Sequence, residues 1–174
     1  MEPYPLKKVE IPSADLGNRG LLFAGIGWYT RLEFPYLNNI MEQGEYVHIE
    51  KAGLKIYPEY GTYSDFNALP DSIFLYIADE NNVVTDAVKD YLGKQVQGGK
   101  LVKDDLFLGN TYYYFDVTQF MKEELGASGK YKHNLQLVFN SDDYTKTLKN
   151  LTFSAPNGQN PIILQLNYKI YESY

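Results

Sequence analysis

A run of aromatic residues is the feature of this sequence that could do chemistry. The stretch NTYYYFDVT occupies positions 110–118. In an extended strand alternate side chains share a face, so Phe115 and Val117 mark the inward face and leave Tyr112 and Tyr114 on the outer one. Two rings at that spacing, roughly 7 Å apart, can stack against sugar rings. The alternative is that both tyrosines pack under a loop or against neighbouring tyrosines across the sheet.

Trp28 and Tyr29 are the other aromatic candidates for ligand binding. They begin the stretch WYTRLEF at 28–34, whose alternation predicts a half-buried strand. The chain has 17 Tyr against one Trp, and aromatic residues make up 16% of it. Tyrosine suits both a pleated sheet and contacts with carbohydrate or peptide, so the composition favours a β protein with a surface that can bind.

Catalytic chemistry finds little support in the residue pattern. His48 and His133 occupy outward positions of strand-like segments, with no second histidine at metal-ligand spacing and no serine elbow beside them. The chain has no Cys, which removes thiol catalysis and thiolate metal sites. The glycines of GIG at 25–27 precede a strand and not a helix, so no phosphate loop is predicted. We predict no catalytic residue and no metal ligand.

Two acidic stretches leave a structural calcium ion open without predicting it. DENN at 79–82 and NSDD at 140–143 follow apolar strands, and loops of this kind can supply oxygen ligands. Neither has the spacing of a dedicated calcium loop, and we interpret both as solvated turns. No cofactor is predicted.

Charge and hydropathy limit the partners. The formal net charge is −6 and no Lys/Arg cluster is present, which argues against nucleic acid. No apolar run reaches the roughly 18 residues of a transmembrane helix. The first residues lack the layout of a signal peptide, so either the protein is cytosolic or an export signal lies upstream of this sequence.

Period-two alternation dominates the chain and predicts strands at 28–34, 72–78, 133–139, 151–155 and 161–171. The segment 72–78 is apolar on both faces, which predicts a central strand. In the stretch 47–57 the apolar positions change phase between Ile49 and Ala52, which predicts a bulge or corner near Glu50 and Lys51. Further strands are expected.

Two helices are predicted among these strands. The stretch 118–126 has Asp116 or Thr118 as its cap, an apolar stripe from Phe120 to Leu125, and Gly126 as its end. The stretch 86–94 is predicted as a shorter helix that begins at Asp86. Turns are predicted at 59–71, at QGGK (97–100), and at Asn157-Gly158. The whole pattern predicts one all-β domain over 1–174, a jelly-roll β-sandwich of two antiparallel sheets, with 1–19 as an extended lead-in.

Three motifs in order carry a family resemblance: IEKAGLKIY (49–57), FDVTQFMKEEL (115–125) followed by HNLQLVF (133–139), and NPIILQLNYKIY (160–171). With GIGWYTRLEFPYLNN (25–39), they resemble the C-terminal part of a Bacteroidetes family of exported lipoproteins of unknown function (domain of unknown function 4270). These motifs also resemble jelly-roll modules of the carbohydrate-binding type. They consist of strand, cap and turn residues, so they bear on fold far more than on activity.

The resemblance implies an exported protein of the cell envelope, at the outer membrane or cell surface, whose lipidated cysteine would lie upstream. It brings no catalytic residues. The expectation is a non-catalytic binding or assembly domain whose partner is a glycan or an envelope protein. A purely structural spacer module of a larger surface protein is the alternative. A glycan-cleaving enzyme is the third hypothesis, and it would need two carboxyl groups facing each other across a cleft.

Overall fold

The computed structural model describes residues 10–42, 46–90, 92–104, 110–128, 133–154 and 161–171. Within these ranges the chain forms ten strands, three α-helices and two short 3₁₀ turns, Ser13–Leu16 and Ala24–Ile26. The strands are β1 (Arg19–Phe23), β2 (Thr30–Leu32), β3 (Tyr46–Ile56), β4 (Ser72–Ala78), β5 (Val84–Ala87), β6 (Gly98–Val102), β7 (Tyr112–Asp116), β8 (Asn134–Val138), β9 (Asn150–Ser154) and β10 (Ile163–Tyr171). The helices are α1 (Asn38–Met41), α2 (Thr118–Ser128) and α3 (Ser141–Lys146). The predicted turn at Asn157-Gly158 and the first nine residues of the predicted lead-in lie outside the described residues.

The strands form two antiparallel sheets that curl into a half-barrel. The larger sheet has the order β10-β3-β7-β6-β4-β8-β2, with β5 paired to β4, and the smaller sheet joins β1 to β9. The predicted all-β sandwich with short helices is confirmed. The strand at 72–78 has the predicted bounds, and it is central because β4 pairs with β5, β6 and β8.

Inward side chains of both sheets make one hydrophobic cluster among the described residues. The larger sheet contributes pairs two positions apart, such as Ile73 with Leu75, which are fully buried. The smaller sheet adds Leu22, Leu151 and Phe153 to the same cluster. The period-two alternation of the sequence therefore produces a shared core between the two sheets.

The predicted bulge in β3 is confirmed. β10 pairs with β3 in steady register until Asn167 lies opposite Lys51, and the next pair joins Tyr168 to Ile49. Glu50 is the extra residue. The insertion lets Ile49 and Ala52 both face the core although three positions separate them.

β10 is the outermost strand of the larger sheet, and its inward face is only partly covered. Leu164, Leu166 and Tyr168 alternate along the strand and are half-buried against the core. Ile170 continues the same alternation, but 40% of its surface is exposed. It lies near the end of an edge strand.

The predicted helix at 86–94 is wrong. Val84–Ala87 is a strand that pairs with β4, and the amide of Val88 continues this pairing to the carbonyl of Leu75 at 2.9 Å. The chain then turns at Asp90, whose carboxylate accepts the amide of Lys94 at 2.9 Å. Asp86 and Gly93 are residue types that are typical of helix ends. The hydrogen bonds to β4 override this local preference.

The predicted QGGK turn is also wrong, because Gly98 and Gly99 belong to β6 between β4 and β7. A side chain at residue 99 would collide with the ring of Phe115, since a Cβ there would lie 2.1 Å from the Cζ atom of that ring. Glycine here permits close packing on a strand and does not mark a turn.

Helix α2 covers part of the core with its predicted apolar stripe, and Phe120, Met121 and Leu125 are nearly fully buried. Of the two residues predicted to cap it, Asp116 is the one that does so. The carboxylate of Asp116 accepts the amide of Thr118 at 3.0 Å. The Thr118 hydroxyl instead accepts the amide of Ala52 at 2.9 Å, beside the bulge of β3. The threonine therefore ties the start of the helix to a neighbouring strand.

Candidate functional site: a tyrosine and lysine face of the larger sheet

The strand register aligns the outward side chains of the larger sheet in rows. In one row Tyr114 of β7 lies directly between Lys55 of β3 and Lys100 of β6. Because adjacent strands lie about 4.8 Å apart, the Cα atoms of the two lysines are about 10 Å apart, with Tyr114 midway. The two lysines thus flank Tyr114 on its two neighbouring strands.

A second aromatic position lies beside this row. The ring centroids of Tyr57 and Tyr112 are 5.5 Å apart with planes tilted by 49°. The Lys55 Nζ atom lies 5.0 Å from the centroid of the Tyr112 ring. This is a cation–π contact, worth about 0.5–1 kcal/mol at an exposed site, and it holds the ammonium group next to the aromatic pair.

Tyr114 packs against a glycine on the neighbouring strand. A Cβ atom built on Gly53 would lie 3.0 Å from both the Cε2 and the Oη atoms of Tyr114, so the outer end of the ring lies over that glycine. Phe74 and Gly98 form a looser pair on the same side of the sheet, with a distance of 3.5 Å to the corresponding Cβ position. At both positions an aromatic side chain covers a glycine of the neighbouring strand.

The structure confirms the predicted split of the aromatic run. Tyr113, Phe115 and Val117 are fully buried, while Tyr112 and Tyr114 are half-buried on the outer face. The Tyr113 hydroxyl donates to the carbonyl oxygen of Pro70 at 2.6 Å, and burial raises the pKa of that phenol well above its usual range. The outward pair therefore combines cross-strand packing with partial access to solvent.

Lysines give this face a positive charge. Lys51 and Lys100 are exposed and Lys55 is half-buried, and none of the three has a salt bridge to a described residue. The nearby carboxylate of Asp116 is engaged by the amide and hydroxyl of Thr118. Glu50 at the bulge pairs with Lys169, and this hydrogen bond lowers the pKa of the carboxyl group. We refer to Lys51, Gly53, Lys55, Tyr57, Lys100, Tyr112 and Tyr114 as the tyrosine–lysine face.

Comparisons with known proteins identify no relative of this chain. No family model, curated protein or solved structure matches this chain. The resemblance to exported lipoproteins therefore stays a prediction. Within the described residues, no helix is both long enough and apolar enough to span a membrane.

The structure does not bring Trp28 and Tyr29 to the tyrosine–lysine face. They precede β2, which is separated from β7 by β6, β4 and β8, so the path along the sheet is about 19 Å. Their exposed fractions are 41% and 40%. The Trp28 backbone exchanges hydrogen bonds with Phe23 in the turn that joins β1 to β2. These two aromatics form a separate exposed position near the opposite edge of the sheet.

A hollow near β2 gathers several acidic side chains, among them Glu33, Asp79 and Glu80, together with His133. Most already have partners. Glu33 forms an ion pair with Arg31, and Asp79 accepts the amides of Asn81 and Val83 within its own turn. Among the described residues, no three His, Asp or Glu side chains are grouped so that they could hold a metal ion. The DENN stretch is a turn organised by its own aspartate.

The two histidines have different surroundings. The Nδ1 atom of His133 lies 2.5 Å from the Oε1 atom of Glu124, whose side chain is only 10% exposed, and the His133 amide donates to the other oxygen. This pair joins α2 to the start of β8. His48 is exposed on β3, opposite Lys169 of β10. Neither arrangement includes a nucleophile among the described contacts.

The NSDD stretch contributes to α3 and not to a loop. The Asn140 side chain accepts the amide of Asp142 and caps the helix. Asp142 and Asp143 form salt bridges with Lys146 and Lys149 at 3.2 and 2.9 Å. Acidic residues in a first helical turn are favourable, and these have lysine partners as well.

Tyr112 and Tyr114 were predicted from the sequence as candidate binding residues, but the residues that surround them were not. A signal was present in the stretch 51–57, where Lys51, Gly53, Lys55 and Tyr57 alternate with apolar residues and so share the outer face. The position of Lys100 on this face follows only from the pairing of β6 with β7. That pairing was not predicted, because the two glycines of β6 indicated a turn.

Proposed function

We propose that this domain is a non-catalytic binding module of an exported, lipid-anchored protein of the bacterial cell surface, and that the tyrosine–lysine face binds glycan. One observation carries the proposal: Tyr57, Tyr112 and Tyr114 lie together on one outer face, with the first two rings 5.5 Å apart and the third over a glycine. Aromatic rings that are partly exposed on a sheet are suited to stack against the apolar faces of sugars. The lipoprotein setting is supported by the motif resemblance alone.

Half-burial of the same tyrosines favours a second candidate, a structural spacer module. Tyr114 covers Gly53, and Tyr112 packs on Tyr57 and Lys55, so each ring already has a role in the sheet. Cross-strand aromatic pairs of this kind stabilise a sheet without any ligand. The two candidates differ in a measurable way, because only a binding module loses affinity when the rings are removed.

Glycan-array binding of the purified domain tests the proposal. We expect wild type to bind one class of glycan, and Tyr112→Ala and Tyr114→Ala each to weaken that binding by about tenfold, since stacking contacts are worth roughly 1 kcal/mol or more. Tyr36→Ala is the control, because Tyr36 is 78% exposed and lies outside the face. Thermal unfolding checks that each variant is folded. Absence of binding to every glycan would favour the spacer module.

The lipid anchor has its own test. The complete open reading frame that contains this sequence is expressed in a bacterium that processes lipoproteins, with a clickable palmitate analogue in the medium. We expect the protein to carry the label and to sediment with the outer membrane. An unlabelled protein in the cytosolic fraction would contradict the export hypothesis.

A further inference from the structure

We infer that the glycan recognised by the tyrosine–lysine face is acidic, with carboxylate or sulfate groups that contact Lys55 and Lys100. The inference rests on the proposed function, because it specifies the ligand of the same face. The main evidence is the row of outward residues in which Tyr114 lies directly between these two lysines.

The tyrosine–lysine face is positively charged, whereas the chain as a whole is negatively charged. The formal net charge of the protein is −6, yet three lysines of the face have no salt bridge to a described residue. Elsewhere, Lys89, Lys146, Lys149 and Lys169 each pair with a carboxylate. Lys94, Lys103 and Lys122 resemble the lysines of the face in having no salt bridge to a described residue, so it is the grouping of three such lysines on one face that sets it apart. The face is therefore a cationic patch on an acidic protein, and the ligand that complements it is anionic.

The distances place charge and aromatic surface within reach of one ligand. The Lys55 ammonium is 5.0 Å from the centre of the Tyr112 ring, so an acidic group that contacts it also lies beside that ring. Lys100 lies on the other side of Tyr114 and is exposed. A saccharide chain laid along the row would meet a cation, a ring and a second cation in turn.

Acidic groups would add both affinity and selectivity. A hydrogen bond between an ammonium and a carboxylate or sulfate is stronger than one between neutral groups. A neutral sugar could still stack on the rings but would leave both ammonium groups without a counter-charge. Salt weakens interactions between exposed charges, so ionic strength separates the two contributions.

The central experiment compares polygalacturonate with the same polymer after chemical reduction of its carboxylates to alcohols. Dextran sulfate supplies the sulfate arm, and poly-glutamate tests an acidic polypeptide of similar charge. Binding is measured by calorimetry at 50 and 500 mM salt. We expect polygalacturonate or dextran sulfate to bind at least tenfold more tightly than the reduced polymer, with most of this advantage lost at high salt.

Variants locate the effect on the face. We expect Lys55→Gln and Lys100→Gln each to weaken binding of the acidic polymer by about five- to tenfold. Lys100→Arg keeps the positive charge and should bind about as tightly as wild type. Lys122→Gln is the matched control, since Lys122 is an exposed lysine of α2, and we expect no change. Binding to the reduced polymer should be insensitive to all four substitutions.

Failure of this inference can be told apart from failure of the proposed function. Equal binding of polygalacturonate and its reduced form, or unchanged binding by Lys55→Gln and Lys100→Gln, would overturn the acidic specificity and leave glycan binding intact. Tighter binding of poly-glutamate than of either acidic polysaccharide would overturn it in favour of an acidic protein partner. Absence of binding to any glycan would overturn both.

Discussion

The ring of Phe115 occupies the space that a side chain at residue 99 would need. A Cβ atom at Gly99 would lie 2.1, 2.4 and 2.6 Å from three atoms of this fully buried ring. The ring is held between sheets and cannot move without disturbing the core. We expect Gly99→Ala to lower the free energy of unfolding by about 2–3 kcal/mol, measured by urea unfolding at neutral pH.

Gly126→Ala is the matched control for that substitution. Gly126 is an exposed residue of α2, and nothing lies within 4 Å of its Cβ position. Alanine there should stabilise the protein by about 0.5–1 kcal/mol. If both variants shifted stability in the same direction, close packing on Gly99 would not be the cause.

The Tyr113 phenol should make stability depend on alkaline pH. Burial, with a smaller effect of the charge on Asp71, raises the pKa of Tyr113, whereas an unfolded tyrosine ionises near pH 10. Below about pH 10 both states hold the proton and the contribution is complete. Above that pH only the unfolded state releases it, so stability falls by about 1.4 kcal/mol per pH unit.

Tyr113→Phe isolates this contribution from those of the other tyrosines. At pH 7 the variant loses the 2.6 Å hydrogen bond to Pro70 and should be about 1–2 kcal/mol less stable than wild type. It lacks the alkaline loss, so the difference should shrink between pH 10 and 11. Urea unfolding from pH 7 to 11 checks this. Parallel pH profiles for the two proteins would show that Tyr113 titrates normally.

Much of the fold could be predicted because period-two alternation records which side chains face the core. The strand at 72–78 and the phase change at Glu50 were both visible in this way. The strand at 98–102 was not, because Gly98 and Gly99 carry no side chains to alternate. The reason for a glycine at position 99 is the ring of Phe115, a residue of the neighbouring strand.

The candidate site was predictable only in part for a related reason. Tyr112 and Tyr114 could be assigned to the outer face from their own strand. Their partners Lys55 and Lys100 come from two other strands, and Tyr57 directly follows the strand of Lys55. Register between strands is a tertiary property. The helix at 86–94 failed similarly, since hydrogen bonds to β4 decided the conformation of Asp86 and Ala87.

Thr118 should stabilise the junction between β3 and α2 through its hydroxyl. That oxygen accepts the amide of Ala52, which is fully buried. Thr118→Val keeps the shape and removes the acceptor, which leaves a buried amide unsatisfied at a cost of about 1–3 kcal/mol. Thr118→Ser keeps the hydroxyl and should lose less than half as much. Equal losses in the two variants, by urea unfolding, would assign the effect to the missing methyl or to packing.

Gly53→Val should separate glycan binding from folding. A side chain at residue 53 would meet the Cε2 and Oη atoms of Tyr114 at 3.0 Å and push the outer end of that ring off the sheet. Valine is favourable in a strand, so the free energy of unfolding should change by less than about 1 kcal/mol. Affinity for the best-bound glycan should fall by about tenfold, as in Tyr114→Ala.

A double-mutant cycle shows whether the two residues act as one unit. If Gly53 matters only because it seats the Tyr114 ring, then Gly53→Val in the Tyr114→Ala background should cost no further affinity. Calorimetry on the wild type, both single variants and the double variant measures this coupling. Additive losses would mean that the valine blocks the ligand directly, and that the position of the Tyr114 ring over Gly53 does not control binding.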